Sequence, residues 1–148
     1  MKVVLQQATP DDCPAMGKIL SDWVGENDWM PRMHPRESYP QFCELLINIG
    51  AVTVARMDGR VAGFLALQDN DIQALYLARD ARGQGIGKRL LSNAKDQTDH
   101  LELWTFQANL GARRFYAREG FREVELTDGS GNDEKLPDVR LAWARKKP

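Results

Sequence analysis

The strand-like run DIQALYLA (71–78) passes through a glycine-rich turn, RGQGIGK (82–88), into a helical run. There Gly87, Leu90, Leu91 and Ala94 share one face. A second strand-like run, LELWTF (101–106), follows at once. A strand, one short helix and another strand make a crossover, so the two strands are expected to be parallel and adjacent. Tight turns join the three extended segments before the helix, so the sheet must mix parallel and antiparallel pairs.

The first half of the chain starts with a short strand over KVVLQQ (2–7). A helix then opens at Thr9, with Pro10 in first position and Asp11 and Asp12 in the first turn. Its apolar face is Met16, Ile19, Leu20 and Trp23, and Gly25 ends it. Residues 25–37 read as a loop. A second helix is expected from about Ser38 to Ile49, with Phe42, Leu45, Leu46 and Ile49 as its apolar stripe. Then the period changes to extended: AVTVARM and RVAGFLALQ flank Asp58-Gly59, a strong hairpin signal, and a turn at Asp69-Asn70 leads into residues 71–78.

Beyond the crossover, Asn109 opens a helix with Ala112, Phe115 and Tyr116 facing together, and Gly120-Phe121 stops it. FREVELT and DVRLAWAR read as a closing pair of strands around a polar tip, DGSGNDEKLP. The expected order is β-α-α-β-β-β-α-β-α-β-β, an α/β (α+β mixed-sheet) domain spanning residues 1–148. A chain of 148 residues is long enough to bury a core without metals or disulfides.

Lys and Arg number 20 against 21 Asp and Glu, a net charge of −1, which argues against a dedicated nucleic-acid binder. No apolar run approaches the ~20 residues that span a bilayer, and the start MKVVLQQATPDD has no signal-peptide core. A cytoplasmic protein without membrane contact is therefore expected. Cys13 and Cys43 fit no metal or disulfide spacing, so no metal is expected.

Exposed main-chain N–H groups between a strand and a helix make an anion site, and glycines let an oxygen-rich ligand approach them. A nucleotide P-loop is disfavoured because Gly83 and Gly87 stand one residue too close and Arg89 replaces the metal-binding hydroxyl. A dinucleotide fingerprint is disfavoured because Lys88 occupies its third glycine position. A pyrophosphate cradle of Arg82, Gly83, Gln84, Gly85, Ile86, Gly87 and Lys88 remains, beside a tight connection that binds nothing.

With Arg82, Gly85 and Gly87 in the pattern R/Q-x-x-G-x-G/A, inside LYLARDARGQGIGKRLL, the chain resembles the GNAT N-acetyltransferase superfamily. NLGARRFYAREGF (109–121) is similar to a second segment of that family, in the right order and spacing. The resemblance implies splayed central parallel strands with acetyl-CoA in the gap. Leu75, Tyr76 and Leu77 would then meet the pantetheine arm through their main chain, residues 82–88 the pyrophosphate, and Asn109 and Arg113 the far side of the cofactor.

It also implies direct transfer of the acetyl group to a primary amine, of a small molecule or a peptide, in a ternary complex. An amine of pKa ~10 is only about 0.1% neutral at pH 7, equivalent to ~4 kcal/mol of barrier, so a proton acceptor is the main need. Tyr116 stands at the family's general-acid position, where its phenol would donate to sulfur. Asp71 is the candidate base, with Glu26, Asp28, His34 and Glu102 as rivals. The acceptor would bind between residues 23–40 and the closing hairpin, with Glu26, Asp28, Trp29 and His34 as candidate contacts. Trp23 and Trp143 fall on buried-looking periods. The alternatives are a non-catalytic acyl-CoA-binding module and a nucleotide-phosphate binder. Either a monomer or a homodimer is compatible with the sequence.

Overall fold

The structure, a computed structural model, describes residues 2–146. Its strands are β1 (Val3–Gln7), β2 (Ala51–Met57), β3 (Arg60–Gln68), β4 (Asp71–Leu77), β5 (His100–Phe106), β6 (Arg122–Leu126) and β7 (Asp138–Ala144). The helices are α1 (Cys13–Glu26), α2 (Tyr39–Ile49), α3 (Ile86–Asp96) and α4 (Leu110–Arg118). All seven strands form one sheet in the order β1-β2-β3-β4-β5-β7-β6. Among the described residues only β4 and β5 pair in parallel, as the crossover requires. The last strand inserts between β5 and β6, leaving β6 at the edge. The Asp58-Gly59 turn has positive φ at both residues (53° and 90°), the backbone of a two-residue hairpin turn.

Both early helices begin with a 3-10 turn, at Pro10–Asp12 and at Arg36–Ser38. Pro14 and Pro40 explain this: neither has an N–H to close an α-type bond onto the residue four back. The amides of Cys13 and Tyr39 bond instead to the carbonyls of Pro10 and Arg36, three back.

Residues α1 and α2 cover one face of the sheet with Met16, Ile19, Cys43 and Leu46 against Val54, Phe64 and Ala74. On the other face, α3 and α4 bury Ile86, Leu90, Leu91 and Tyr116 against Leu65, Leu101, Leu103 and Leu141. One expectation needs correcting. The inward stripe of α2 is Tyr39, Cys43 and Leu46, while Phe42, Leu45 and Ile49 are exposed. The cause is the close crossing of α1 and α2, where a Cβ on Gly17 would lie 2.6 Å from the Pro40 nitrogen. That contact fixes the rotation of α2 about its axis.

Asp12, nearly fully buried, ties the first turn to the sheet. Its carboxylate accepts from Arg56 Nη2 at 2.8 Å and from the Thr9 amide at 3.0 Å. Burial pushes the Asp12 carboxyl up, but the Thr9 amide and the Arg56 guanidinium outweigh that and hold it below its ordinary value. A carboxyl lowered by folding contributes stability that is complete above its unfolded-state pKa and is lost as pH falls through the folded-state value. Asp12→Asn should therefore cost about 2 kcal/mol at neutral pH, since it removes the carboxylate paired with Arg56 and leaves that guanidinium its bond to Gln6. Urea unfolding should show the gap to the parent protein closing below roughly pH 4. A gap independent of pH would mean that the carboxylate's charge contributes nothing.

Candidate active site

At their N-terminal ends β4 and β5 share one paired position, Asp71 opposite Glu102, with the Glu102 amide donating to the Asn70 carbonyl at 2.9 Å. From there the strands diverge. The register between β3 and β4 steps from Ala66–Ala74 to Leu67–Ile72, so Gln73 is an extra residue, a bulge that bends β4 away from β5. Arg140, on β7, bonds Asp71 at 2.6 Å, approaches Glu102 at 3.3 Å and stacks over Trp104, closing the apex of the wedge.

The gap is a cleft of about 820 Å3 that runs through the sheet. Its walls include the β4 segment 73–77 and the β5 segment 103–106. Trp23, Glu26 and Trp29 reach it from the α1 side, Gly87, Phe115 and Tyr116 from the α3–α4 side. A strand edge without a partner offers its amide and carbonyl groups to an extended ligand.

At the mouth, Gly83 and Gly85 have φ of 76° and 80°, and a Cβ built on either would meet nothing within 4 Å. The turn is thus glycine-dependent in its backbone and open above. Gln84 pins it by donating to the Asp80 carbonyl at 2.8 Å. The amides of Ile86, Gly87 and Lys88 fall in the first turn of α3, where no helical carbonyl precedes them. Arg82 bridges the mouth, donating to Glu26 at 2.7 Å and to the Leu77 carbonyl at 3.2 Å. Lys88 is exposed at the same turn, and the Ile86 side chain belongs to the core, leaving only its main chain to the turn.

Tyr116 is buried between Phe115 and Phe121, with ring centroids 5.1 and 5.2 Å away. Burial pushes its phenol well above the usual tyrosine value, so it stays protonated. Tyr76 is pushed up to about 12, first by burial and then by the charge of Glu134. It starts an aromatic arc across the cleft: Tyr76 to Trp23 at 5.1 Å, Trp23 to Trp29 at 5.7 Å, Trp29 to Phe106 at 5.7 Å.

Half of the site residues expected from the sequence line the cleft: Leu75, Tyr76, Leu77, Arg82, Gly87, Asn109, Tyr116, Glu26 and Trp29. The Asn109 side chain also caps α4, accepting from the Ala112 amide at 3.0 Å. Gly83, Gln84, Gly85, Ile86 and Lys88 form the turn at the mouth of the cleft, and Asp71, Arg113, Asp28 and His34 stand apart from it. Asp71 is bound by Arg140 at the apex. Arg113 is clamped to Glu123 at 2.8 and 2.9 Å. Asp28 and His34 are exposed in the loop after α1. Trp23 is half-buried, as part of the arc, and Trp143 half-buried against the core. Phe106, Arg140 and Glu134 were not anticipated. Of these only Phe106 had a signal, two residues from Trp104 on the same strand face.

A partnerless strand edge that leads to a glycine-built nest of amides defines a site for a long, phosphate-ended acyl carrier. The sequence pattern of the acetyltransferase (GNAT) domain matches residues 48–123, and the chain belongs to that family. It is an N-acetyltransferase, and acetyl-CoA is its cofactor. The chain is 28% identical over 149 residues to the peptidyl-lysine N-acetyltransferase YiaC of Escherichia coli, covering 95% of this chain and 96% of that protein. To the peptidyl-lysine N-acetyltransferase YjaB of Salmonella typhimurium it is 30% identical over 81 residues, 55% of this chain and 56% of that one. The fold is that of apo YjaB from Escherichia coli, with a TM-score of 0.80 at 19% identity over 99% of this chain and all of that one. It is also that of yncA from Salmonella typhimurium, solved with acetyl-CoA, at a TM-score of 0.77 and 17% identity, over all of this chain and 96% of that one.

Proposed function

We propose that the protein transfers the acetyl group of acetyl-CoA to the side-chain amine of a peptide lysine, by direct attack with both substrates bound. The observation that carries this is the passage of the cleft through the sheet. One mouth has the amide nest of residues 83–88 and the Arg82–Glu26 pair; the other has the aromatic arc of Trp23, Trp29 and Phe106. Cofactor and acceptor then enter from opposite faces and meet beside β4. The near full-length similarity to a peptidyl-lysine N-acetyltransferase supports the choice of acceptor.

In this reading the free edge at Leu75–Leu77 holds the pantetheine arm by main-chain bonds. The turn 82–88 holds the pyrophosphate, with Arg82 exchanging Glu26 for phosphate oxygens. Asn109 flanks the far side through the start of α4. Acetyl-CoA supplies the thioester. The neutral amine attacks the thioester carbon and its nitrogen proton passes to solvent at the open mouth, while Tyr116 donates its phenol proton to the sulfur as the C–S bond breaks and regains one from solvent. Asp71, bound to Arg140, holds the apex of the wedge rather than a proton in transit. The aromatic arc excludes water from the acceptor side. A cytoplasmic place of action goes with this reading; among the described residues no helix is long and apolar enough to cross a membrane.

The test is a thiol-release screen with N-terminally blocked lysine peptides, peptides with a free N-terminus, polyamines and aminoglycoside-type amines. Blocked lysine peptides should release CoA thiol and gain one acetyl group on Nζ by mass spectrometry. Turnover confined to small amines would overturn the acceptor. Tight acetyl-CoA binding with no turnover on any amine would favour a binding module.

A further inference from the structure

The polar segment between β6 and β7 is a built loop rather than a loose tip. Gln107, just after β5, ties it down at both ends: its side-chain amide donates to the carbonyls of Thr127 and Asp138, both at 3.0 Å. The Gln107 main-chain amide donates to the Pro137 carbonyl at 2.9 Å. Asn132 fills the inside, donating to the Leu136 carbonyl at 2.8 Å and to the Asp138 carboxylate at 3.2 Å, and accepting from the Leu136 amide at 3.2 Å. A Cβ on Gly129 would sit 2.3 Å from the Leu136 carbonyl carbon, so the two sides of the loop touch. Lys135 takes a left-handed φ of 56° and returns its ammonium to the Ser130 carbonyl at 2.9 Å.

This construction sets the position of Glu134. The residue lines a second hollow, of about 680 Å3, whose other wall is Trp104 and Phe106. Those two aromatics also line the cleft, so hollow and cleft share a wall. They lie on the strand face opposite to Leu101 and Leu103, the face that carries α1, Trp29 and Tyr76. Among the described residues Glu134 has no hydrogen-bond or ion-pair partner. Asp138, in the same hollow, is occupied by Thr127 and Asn132. Glu125 lines the hollow from the edge strand.

We propose that Glu134 is the docking group for the acceptor, receiving the ammonium of a primary alkylamine whose methylene chain lies along Trp104 and Phe106. A free carboxylate beside two aromatic walls suits this chemistry: the carboxylate accepts charge-assisted hydrogen bonds, and the ring faces attract a cation while covering its apolar stem. The inference rests on the acetyltransferase reading and narrows it to acceptors that arrive positively charged.

The test titrates a blocked lysine peptide into CoA-loaded protein by calorimetry and measures acceptor KM and kcat in parallel. Glu134→Gln should raise the peptide Kd and KM at least tenfold, with kcat within threefold and the acetyl-CoA Kd unchanged. Glu134→Lys should raise them further, by roughly a hundredfold, with the loss shrinking at high salt. An aromatic amine, uncharged at neutral pH, should show the same Kd in all three proteins, which a general distortion of the loop would not allow. Peptide affinity within twofold of the parent in both variants overturns the assignment. So does a parent protein that binds CoA but no lysine peptide. Glu134-dependent peptide binding without acetyl transfer would leave the docking role standing and bring down the proposed reaction instead.

Discussion

Tyr116→Phe should lower kcat by a hundredfold to a thousandfold while the acetyl-CoA Kd stays within twofold. The size follows from what positioned general acids contribute, about 10²–10⁴ in rate. The phenylalanine ring fits the same space between Phe115 and Phe121, so the core survives the change and unfolding should shift little. Only the donor is lost. Because burial raises the phenol above its ordinary value, the protonated form persists through the physiological range and beyond. The parent protein should therefore show no fall in kcat from this group below roughly pH 10. A variant with full kcat would remove Tyr116 from proton donation. A fall in acetyl-CoA affinity matching the fall in rate would reassign it to binding.

Gly85→Val should weaken acetyl-CoA binding at least a hundredfold, about 2.7 kcal/mol, in calorimetric titration. Two effects act together. A β-branched residue is strained at the φ of 80° that Gly85 adopts, and relaxing it turns neighbouring amides away from a common point. The branched side chain would also fill the open space above the turn, where the phosphate oxygens need to come within hydrogen-bond distance of main-chain nitrogen. The free protein has no atom within 4 Å to clash with the new Cβ, so the fold should tolerate the change far better than the binding does. Unchanged affinity would show that the diphosphate lies elsewhere.

Local chemistry was legible in the sequence wherever one residue type has one geometric use. Asp58-Gly59 predicts its hairpin because both positions need positive φ, and the segment 71–106 predicts the parallel pair because chain length leaves no other connection. Of the candidate site, the cofactor side was the legible part. The glycine turn, Asn109 and Tyr116 belong to motifs, and all of them border the cleft. What stayed hidden depends on contacts between distant segments. The bulge at Gln73 has no composition signal of its own, since it arises from how β3 and β4 register. The inward stripe of α2 is set by Gly17 meeting Pro40, not by hydrophobic period alone. Glu134 looked like one more solvated charge in DGSGNDEKLP, because the bonds from Gln107 that fold this loop toward β5 come from outside it.

The lone rung shared by β4 and β5 has a consequence for the cohesion of the whole molecule. Two half-sheets, one of four strands and one of three, are stitched together at a single point and by Arg140 beside it. A thioester arm seated in the gap would supply the rungs that the strands withhold from each other. In the proposed reading, ligand occupancy and the integrity of the sheet would be one equilibrium, each bound acetyl-CoA acting as a temporary eighth strand.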